Sequence, residues 1–261
     1  MADREQRTQA IRALLQDAVF LSVQELSERL QVSPMTVRRD LERLSDLGWV
    51  QRVHGGAMWR EQEASLGQRE TLHTAEKRAI AEEAVTRIAP GETIALDSGT
   101  TAAKMAEQLL VSDTRPITVI TYALNVALIL LADPTIHVHV AGGDLRPGTA
   151  SVVGPRCRDF FEAIHVDRAF LTAAGLTQTD GFTNSNFAEA EIKSAMREAA
   201  DDVYVLMDRS KVDQRALVRF ATLKEVGEII SDGPWEPPWP AILKTAGVRL
   251  ALATTAVRPA P

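Results

Sequence analysis

Residues 94–109 read IALDSGTTAAKMAEQL. A short apolar run, a turn of small hydroxyl-bearing residues and then apolar positions at helical spacing make a strand, a turn and a helix. The turn sets the hydroxyls of Ser98, Thr100 and Thr101, with the backbone amides that Gly99 leaves accessible, at a helix N-terminus. Dipole and unpaired N–H groups there favour an anion such as phosphate. Read alone, the same residues also suit an ordinary N-cap turn.

Outward from this unit, helical and short apolar segments alternate, the pattern of a mostly parallel sheet in an α/β domain. Strands are expected at 92–96, 117–121, 136–140, 166–172, 203–207 and 227–230, and helices near 75–89, 100–110, 124–132, 151–163 and 187–199. RLALA at 249–253 adds one more strand after a Trp/Pro-rich turn at 234–240. In such sheets ligands collect at the carboxyl ends of the strands. Three further loops there have more chemistry than connectors need. AGGDLR at 141–146 lets the backbone approach closely through Gly142 and Gly143, and residues 172–196 run into a helix with Glu189 and Lys193 four apart. MDRSK at 207–211 adds Asp208 and Lys211. A Gly-Gly pair is also a tight turn, and Glu and Lys at i,i+4 are also a surface pair; their joint occurrence after successive strands points to a pocket for a phosphorylated polyol.

The N-terminal stretch is organised differently. A first helix is expected over about residues 3–17, with Ile11, Leu14 and Leu15 apolar. SVQELSERL starts a second, with Ser22 and Glu25 in a capping box and Leu26 and Leu30 on one face. SPMTVRRDLERLSDLG starts a third, with Ser33 as N-cap, Pro34 at the first helical position and Gly48 at the end. Two short helices separated by a few residues, the second well capped and rich in arginine, make a helix-turn-helix. Val37, Leu41 and Leu44 point inward and leave Thr36, Arg38, Arg39 and Arg43 outward. WVQRVHGGAMW then alternates around a Gly-Gly turn, which predicts a two-stranded wing with Arg52 and His54 near its tip. Asp40, Glu42 and Asp46 lie among the arginines, so a solvated, non-binding face is the plainer reading of the helix taken alone.

Charge supports the division. The whole chain of 261 residues carries a formal −6, yet residues 1–60 hold nine Arg and no Lys against eight Asp and Glu, leaving that segment near +1. With 45% hydrophobic and 25% charged residues it has a globular composition, and its longest apolar run, Val126 to Ala132, is far short of the roughly twenty residues that span a bilayer. The N-terminus is charged from Asp3 onward and lacks a signal-peptide core, so a cytoplasmic protein is expected. The single cysteine, Cys157, offers neither a disulfide nor a metal-site spacing, and no cofactor or metal is expected.

With these residues in place, LSVQELSERLQVSPMTVRRDLERLSDLGWVQRVHGGA resembles the DeoR-type winged helix-turn-helix, whose hallmark is T-[VI]-R-R-D-L followed by R-x-H-G-G-A. Residues 76–232 resemble the DeoR-type C-terminal sensor domain, related in fold to ribose-5-phosphate isomerase. The match runs through Lys77 to Ala81, Asp97 to Thr101, Gly142 to Arg146, Gly175 to Thr183, Glu189 to Met196 and Asp208 to Lys211. Two positions depart from the family pattern: Tyr122 stands where the family has Asn, with the next Asn at 125, and Val212 replaces a Phe. The expected organisation is a DNA-binding domain at 1–58, a linker at 59–74, an effector-sensing domain at 75–254 and a disordered tail at 255–261. The resemblance implies a repressor of carbohydrate-metabolism genes that binds double-stranded operator DNA as a homo-oligomer and is controlled by a phosphorylated sugar. DNA is assigned to Ser33, Pro34, Thr36, Arg38, Arg39, Arg43, Arg52 and His54. Effector is assigned to Asp97, Ser98, Gly99, Thr100, Thr101, Tyr122, Asn125, Gly142, Gly143, Gly175, Thr183, Glu189, Lys193, Asp208 and Lys211. Two alternatives stay open on residues alone: a sugar-phosphate isomerase, whose base and cation Glu189, Glu191, Asp208, Lys193 and Lys211 could supply, and a winged-helix module that binds no DNA.

Overall fold

A computed structural model describes residues 7, 8, 10, 11, 14, 15, 18, 20–46, 50–53, 55–59 and 66–254. The chain divides between residues 63 and 64 into two compact units.

In the first unit the described residues from Arg7 to Leu15 are helical. β1 (Leu21–Ser22) leads into α1 (Val23–Leu30), whose capping box forms as the sequence predicts: the Ser22 hydroxyl accepts from the Glu25 amide at 3.1 Å, and the Glu25 carboxylate accepts from the Ser22 amide at 2.8 Å. α1 stops where Gln31 turns left-handed, and α2 (Pro34–Asp46) begins with the Ser33 hydroxyl accepting from the Thr36 amide at 3.2 Å. Ile11, Leu15, Leu26, Val37, Leu41, Leu44, Val50 and Ala57 form the core. β2 (Val50–Val53) and β3 (Gly56–Trp59) are the two antiparallel strands of the expected wing. A third strand, β1, pairs with β3 and was not foreseen, since two residues show no period. It explains Gly56: a Cβ there would lie 2.3 Å from the Leu21 carbonyl oxygen. Gly48 and His54 lie outside the described residues, as do the tail at 255–261 and the start of the first helix.

The second unit opens with α3 (Leu66–Glu70) and α4 (Thr74–Val85). The stretch read as a connector therefore contains a helical turn, and α4 ends earlier than residue 89. Beyond it come β4 (Thr93–Leu96), α5 (Thr100–Val111), β5 (Ile117–Thr121), α6 (Leu124–Leu130), β6 (Ile136–Val140), β7 (Asp144–Arg146), β8 (Ser151–Val153), α7 (Pro155–Glu162) and β9 (Val166–Thr172). The remainder is β10 (Gly175–Thr177), β11 (Gly181–Asn184), α8 (Phe187–Glu198), β12 (Ala200–Leu206), β13 (Val218–Ala221), β14 (Glu228–Ser231), α9 (Trp239–Ala246) and β15 (Arg249–Leu252).

Seven of these strands form one parallel sheet in the order β15-β14-β12-β9-β4-β5-β6. Successive residues alternate between its faces, as the period of a strand requires. Ile94, Leu96, Phe170, Leu206 and Ile230 pack with α4, α5 and α6, whereas Ala95, Ala169, Leu171, Val205 and Ile229 pack with α7, α8 and α9. Both faces are covered, which is why the strands read as nearly continuous apolar runs. From β4 the chain winds outward through β5 and β6; from β9 it winds the other way through β12, β14 and β15. The topological switch point lies between the carboxyl ends of β4 and β9, where this class of fold opens a ligand crevice.

Several expectations are corrected. Residues 151–153 are not the start of a helix but β8, antiparallel to β7, and the helix starts at Pro155, the residue suited to a first helical position. β10, β11 and β13 form a small antiparallel sheet, and α9 begins within the expected Trp/Pro-rich turn. All are too short or too interrupted by Gly, Pro and Trp for a period to show.

Candidate functional site

The surface of α2 carries the first set of predicted residues. Ser33, Pro34, Arg38, Arg39 and Arg43 are exposed and Thr36 is half-buried. Asp40, which weakened the basic reading, points inward: it is 5% exposed and accepts from Arg7 Nε at 2.6 Å. The arginines therefore face outward without that carboxylate among them. Arg52 sits in β2 opposite Ala57, within the wing.

The second set converges on the switch point. Asp97, wholly buried at the end of β4, is the hub. Its Oδ2 accepts from the Thr172 amide at 2.6 Å, from the Thr172 hydroxyl at 2.8 Å and from the Lys193 ammonium. Its Oδ1 accepts from the Tyr122 hydroxyl at 2.5 Å. Lys193, 1% exposed, also donates to the Thr172 carbonyl at 2.9 Å. One carboxylate thus ties together the ends of β4, β5 and β9 and the middle of α8. Tyr122 packs edge-on to Phe161, with ring centroids 6.4 Å apart, and its hydroxyl meets Ser98 Oγ at 2.9 Å. Burial, and then the charges of Asp97 and Glu189, push the Tyr122 phenol well above its ordinary pKa.

Above this hub lies the SGTT turn. Gly99 has φ of +102°, a conformation that L side chains rarely adopt, and no side chain caps the amides at the start of α5. Thr100 and Thr101 are the first two residues of that helix. Helix dipole and uncapped N–H groups therefore face the crevice from the position the sequence predicts.

Glu189 and Lys193 share a face of α8 but have different partners. Glu189 Oε1 accepts from Thr149 Oγ1 at 2.7 Å, Ser151 Oγ at 3.0 Å and Arg146 Nη1 at 3.0 Å, and its Oε2 from Asn184 Nδ2 at 3.2 Å. Burial alone would raise its pKa; Lys193, the Thr149 hydroxyl, Arg146 and Asn184 together hold it below the ordinary carboxylate value. Asp208 caps the turn at 209–211 by accepting from the Ser210 amide and hydroxyl. It contributes a charge next to Lys77, as does Lys211.

Three predicted residues have framing uses in the structure. A Cβ at Gly175 would lie 2.3 Å from the Gln214 carbonyl oxygen, and one at Gly143 2.5 Å from that of Val153, so both glycines serve close backbone approach. Thr183 donates to the Gly175 carbonyl at 3.1 Å and accepts from the Ala216 amide at 2.9 Å. Gly142 is exposed beside them. Asn125 differs: its Oδ1 and Nδ2 are both buried, and neither has a partner among the described residues. Sequence reasoning missed Thr172, Thr149, Ser151 and Asn184, although Thr172 had a signal, a hydroxyl on the last residue of a predicted strand.

Comparison with known families matches residues 7–63 to the DeoR-like helix-turn-helix domain and residues 72–233 to the DeoR C-terminal sensor domain. The chain belongs to the DeoR family. An HTH-type transcriptional regulator GlpR of Haloferax volcanii is 36% identical to it, covering 93% of this chain and 95% of that protein. The glycerol-3-phosphate regulon repressor of Escherichia coli is 30% identical over 89% of this chain and 92% of its own length, and the lactose phosphotransferase system repressor of Streptococcus mutans 33% over 88% and 92%. The ribose 5-phosphate isomerase A of Methanocaldococcus jannaschii aligns over 54% of this chain and 55% of its own, at 19% identity and a TM-score of 0.40. As a DeoR-family member the chain is a DNA-binding transcriptional regulator and not an enzyme. No helix among the described residues is long and apolar enough to cross a membrane.

Proposed function

We propose that this DeoR-family chain represses genes of carbohydrate metabolism by binding operator DNA as a homo-oligomer, and that a phosphorylated sugar or related metabolite bound at the switch point releases it. The observation that carries the reading is the uncapped N-terminus of α5, with Gly99 left-handed and Thr100 and Thr101 on its first turn, set over the buried Asp97–Lys193 pair. The helix end supplies donors for a phosphate. The orphaned amide of Asn125 supplies a donor and an acceptor for hydroxyls, and a buried polar group without a partner is rare enough to call for one. Asp208 and Lys211 lie at the end of β12, next to that crevice. The names of the relatives support a carbohydrate or polyol phosphate as the input. An isomerase reading needs a carboxylate available as base, and the three buried carboxylates of the site, Asp97, Glu189 and Asp208, are each already held by two or more donors.

The test is a thermal-shift screen of the full chain against phosphorylated sugars, since a ligand bound only by the native state raises apparent stability. Compounds that stabilise are then assayed for release of DNA from the chain's own upstream region. Thr100→Asp places a like charge on the first turn of α5; it is expected to abolish both stabilisation and release while DNA binding is retained. Normal release of that variant would overturn the site.

A further inference from the structure

The hydroxyl of Ser98, although it sits in the anion turn, is turned away from it by a count of protons. Tyr122 has one hydroxyl proton, and at 2.5 Å it goes to Asp97 Oδ1. Asp97 has none to return, because it is the acceptor of every bond it makes and the partner of the Lys193 ammonium. The second contact of the phenol, Ser98 Oγ at 2.9 Å, must therefore be a bond in which Ser98 donates and Tyr122 accepts. Tyr122 is wholly buried, so its hydroxyl is committed to these two contacts, whereas Ser98 keeps a small exposed surface toward the crevice, 4% of its whole. The phenol also stays protonated, since burial and the charges of Asp97 and Glu189 raise its pKa.

We infer that Tyr122 makes Ser98 an acceptor toward the ligand, so that Ser98 reads a donor on the effector, a hydroxyl or an amine of its carbon chain, and does not hold the phosphate. This rests on the proposed effector site and divides it. An unprotonated phosphate oxygen only accepts and meets no donor at Ser98; it is left to the amides and hydroxyls of Gly99, Thr100 and Thr101. Effectors with a donor group close to the phosphate are selected over those without one. Tyr122 is then a positioning residue that sets specificity without touching the ligand.

Two tetrahedral anions separate the roles. Sulfate has no proton at neutral pH, whereas hydrogenphosphate has one to donate. Their affinities are measured by calorimetry on the full chain, on Ser98→Ala and on Thr100→Asp, with unfolding in the absence of anions checking that each variant folds. Sulfate affinity is expected to change less than about twofold on Ser98→Ala, because no donor is removed. Hydrogenphosphate is expected to bind the unaltered chain about tenfold tighter than sulfate, the worth of one further hydrogen bond to a charged group, and that preference is expected to vanish in Ser98→Ala. A tenfold loss of sulfate affinity on Ser98→Ala would overturn the inference while leaving the anion site standing, as would equal binding of the two anions by the unaltered chain. If neither anion binds, or if Thr100→Asp binds both unchanged, the site reading fails and takes the inference with it.

Discussion

Lys193 shows how much rests on one residue of the site. Its ammonium is buried against a buried carboxylate, an arrangement in which desolvation costs several kcal/mol per ion and is offset only while both partners remain. Lys193→Met removes the cation and strands the charge of Asp97. A loss of about 3–5 kcal/mol of unfolding free energy is expected from that change, and adding Asp97→Asn should restore part of it. Chemical denaturation of the unaltered chain and the two variants checks this, and a loss under about 1 kcal/mol in Lys193→Met would show that the pair does not hold the strands together. At this scale the sequence was informative about which residues matter and silent about their partners. Glu189 and Lys193, four apart, match a surface ion pair, yet both are buried and each turns to groups at least thirty residues away or on another element. The sequence places Tyr122 in the pocket; its ring is wholly buried against Phe161, and its hydroxyl meets Asp97 and Ser98. Partner choice of this kind is set by tertiary packing, which local spacing does not encode.

Among elements, α2 was the most legible, because its N-cap, first-turn proline and apolar face all agree. Its outward arginines are the residues proposed to contact DNA. In the major groove an Arg pairs bidentately with guanine, worth about 1–3 kcal/mol of discrimination each. Replacing both Arg38 and Arg39 by Ala is therefore expected to collapse specific binding, whereas Arg52→Ala on the wing should weaken all sequences about equally and lower the salt dependence. Fluorescence anisotropy on specific and scrambled duplexes at two salt concentrations distinguishes the two. Retention of specificity by the double variant would favour a winged helix that binds a protein instead. The parallel strands were nearly as legible, since burial on both faces of the central strands leaves mostly apolar runs, as in Thr93–Leu96 and Val203–Leu206. The short antiparallel pieces, β7 with β8 and β10 with β11 and β13, were not. Strands of three or four residues carry too little pattern, and their glycines act through close backbone approach, which becomes visible only in three dimensions.

For the whole molecule the question is how an effector at the proposed site on α5 would be felt by the DNA-binding unit. α3, the first described element after the DNA-binding unit, packs against α5. It is held from below by Lys77, whose buried ammonium donates to the Arg69 and Leu72 carbonyls at 2.5 and 2.6 Å. Burial lowers the Lys77 pKa and the Lys211 charge adds to that, while the Asp208 carboxylate opposes both. The helix that presents the anion turn is thus the one on which the connector leans. If effector and operator favour different arrangements, their coupling is a free energy, typically about 1–3 kcal/mol, and it must be reciprocal. The effector found by screening is expected to weaken operator binding by about 5–150-fold, and saturating operator DNA to weaken effector binding by the same factor. Lys77→Met removes the donors that tie α3 to α4 without touching either ligand. It is expected to leave the affinity for each alone within about twofold and to bring the coupling factor toward one. Calorimetric titration of effector with and without DNA measures both legs. An unchanged factor in Lys77→Met would mean that the signal travels by a route other than α3, and unequal factors on the two legs would mean that a third equilibrium, such as a change of oligomer, is linked to them.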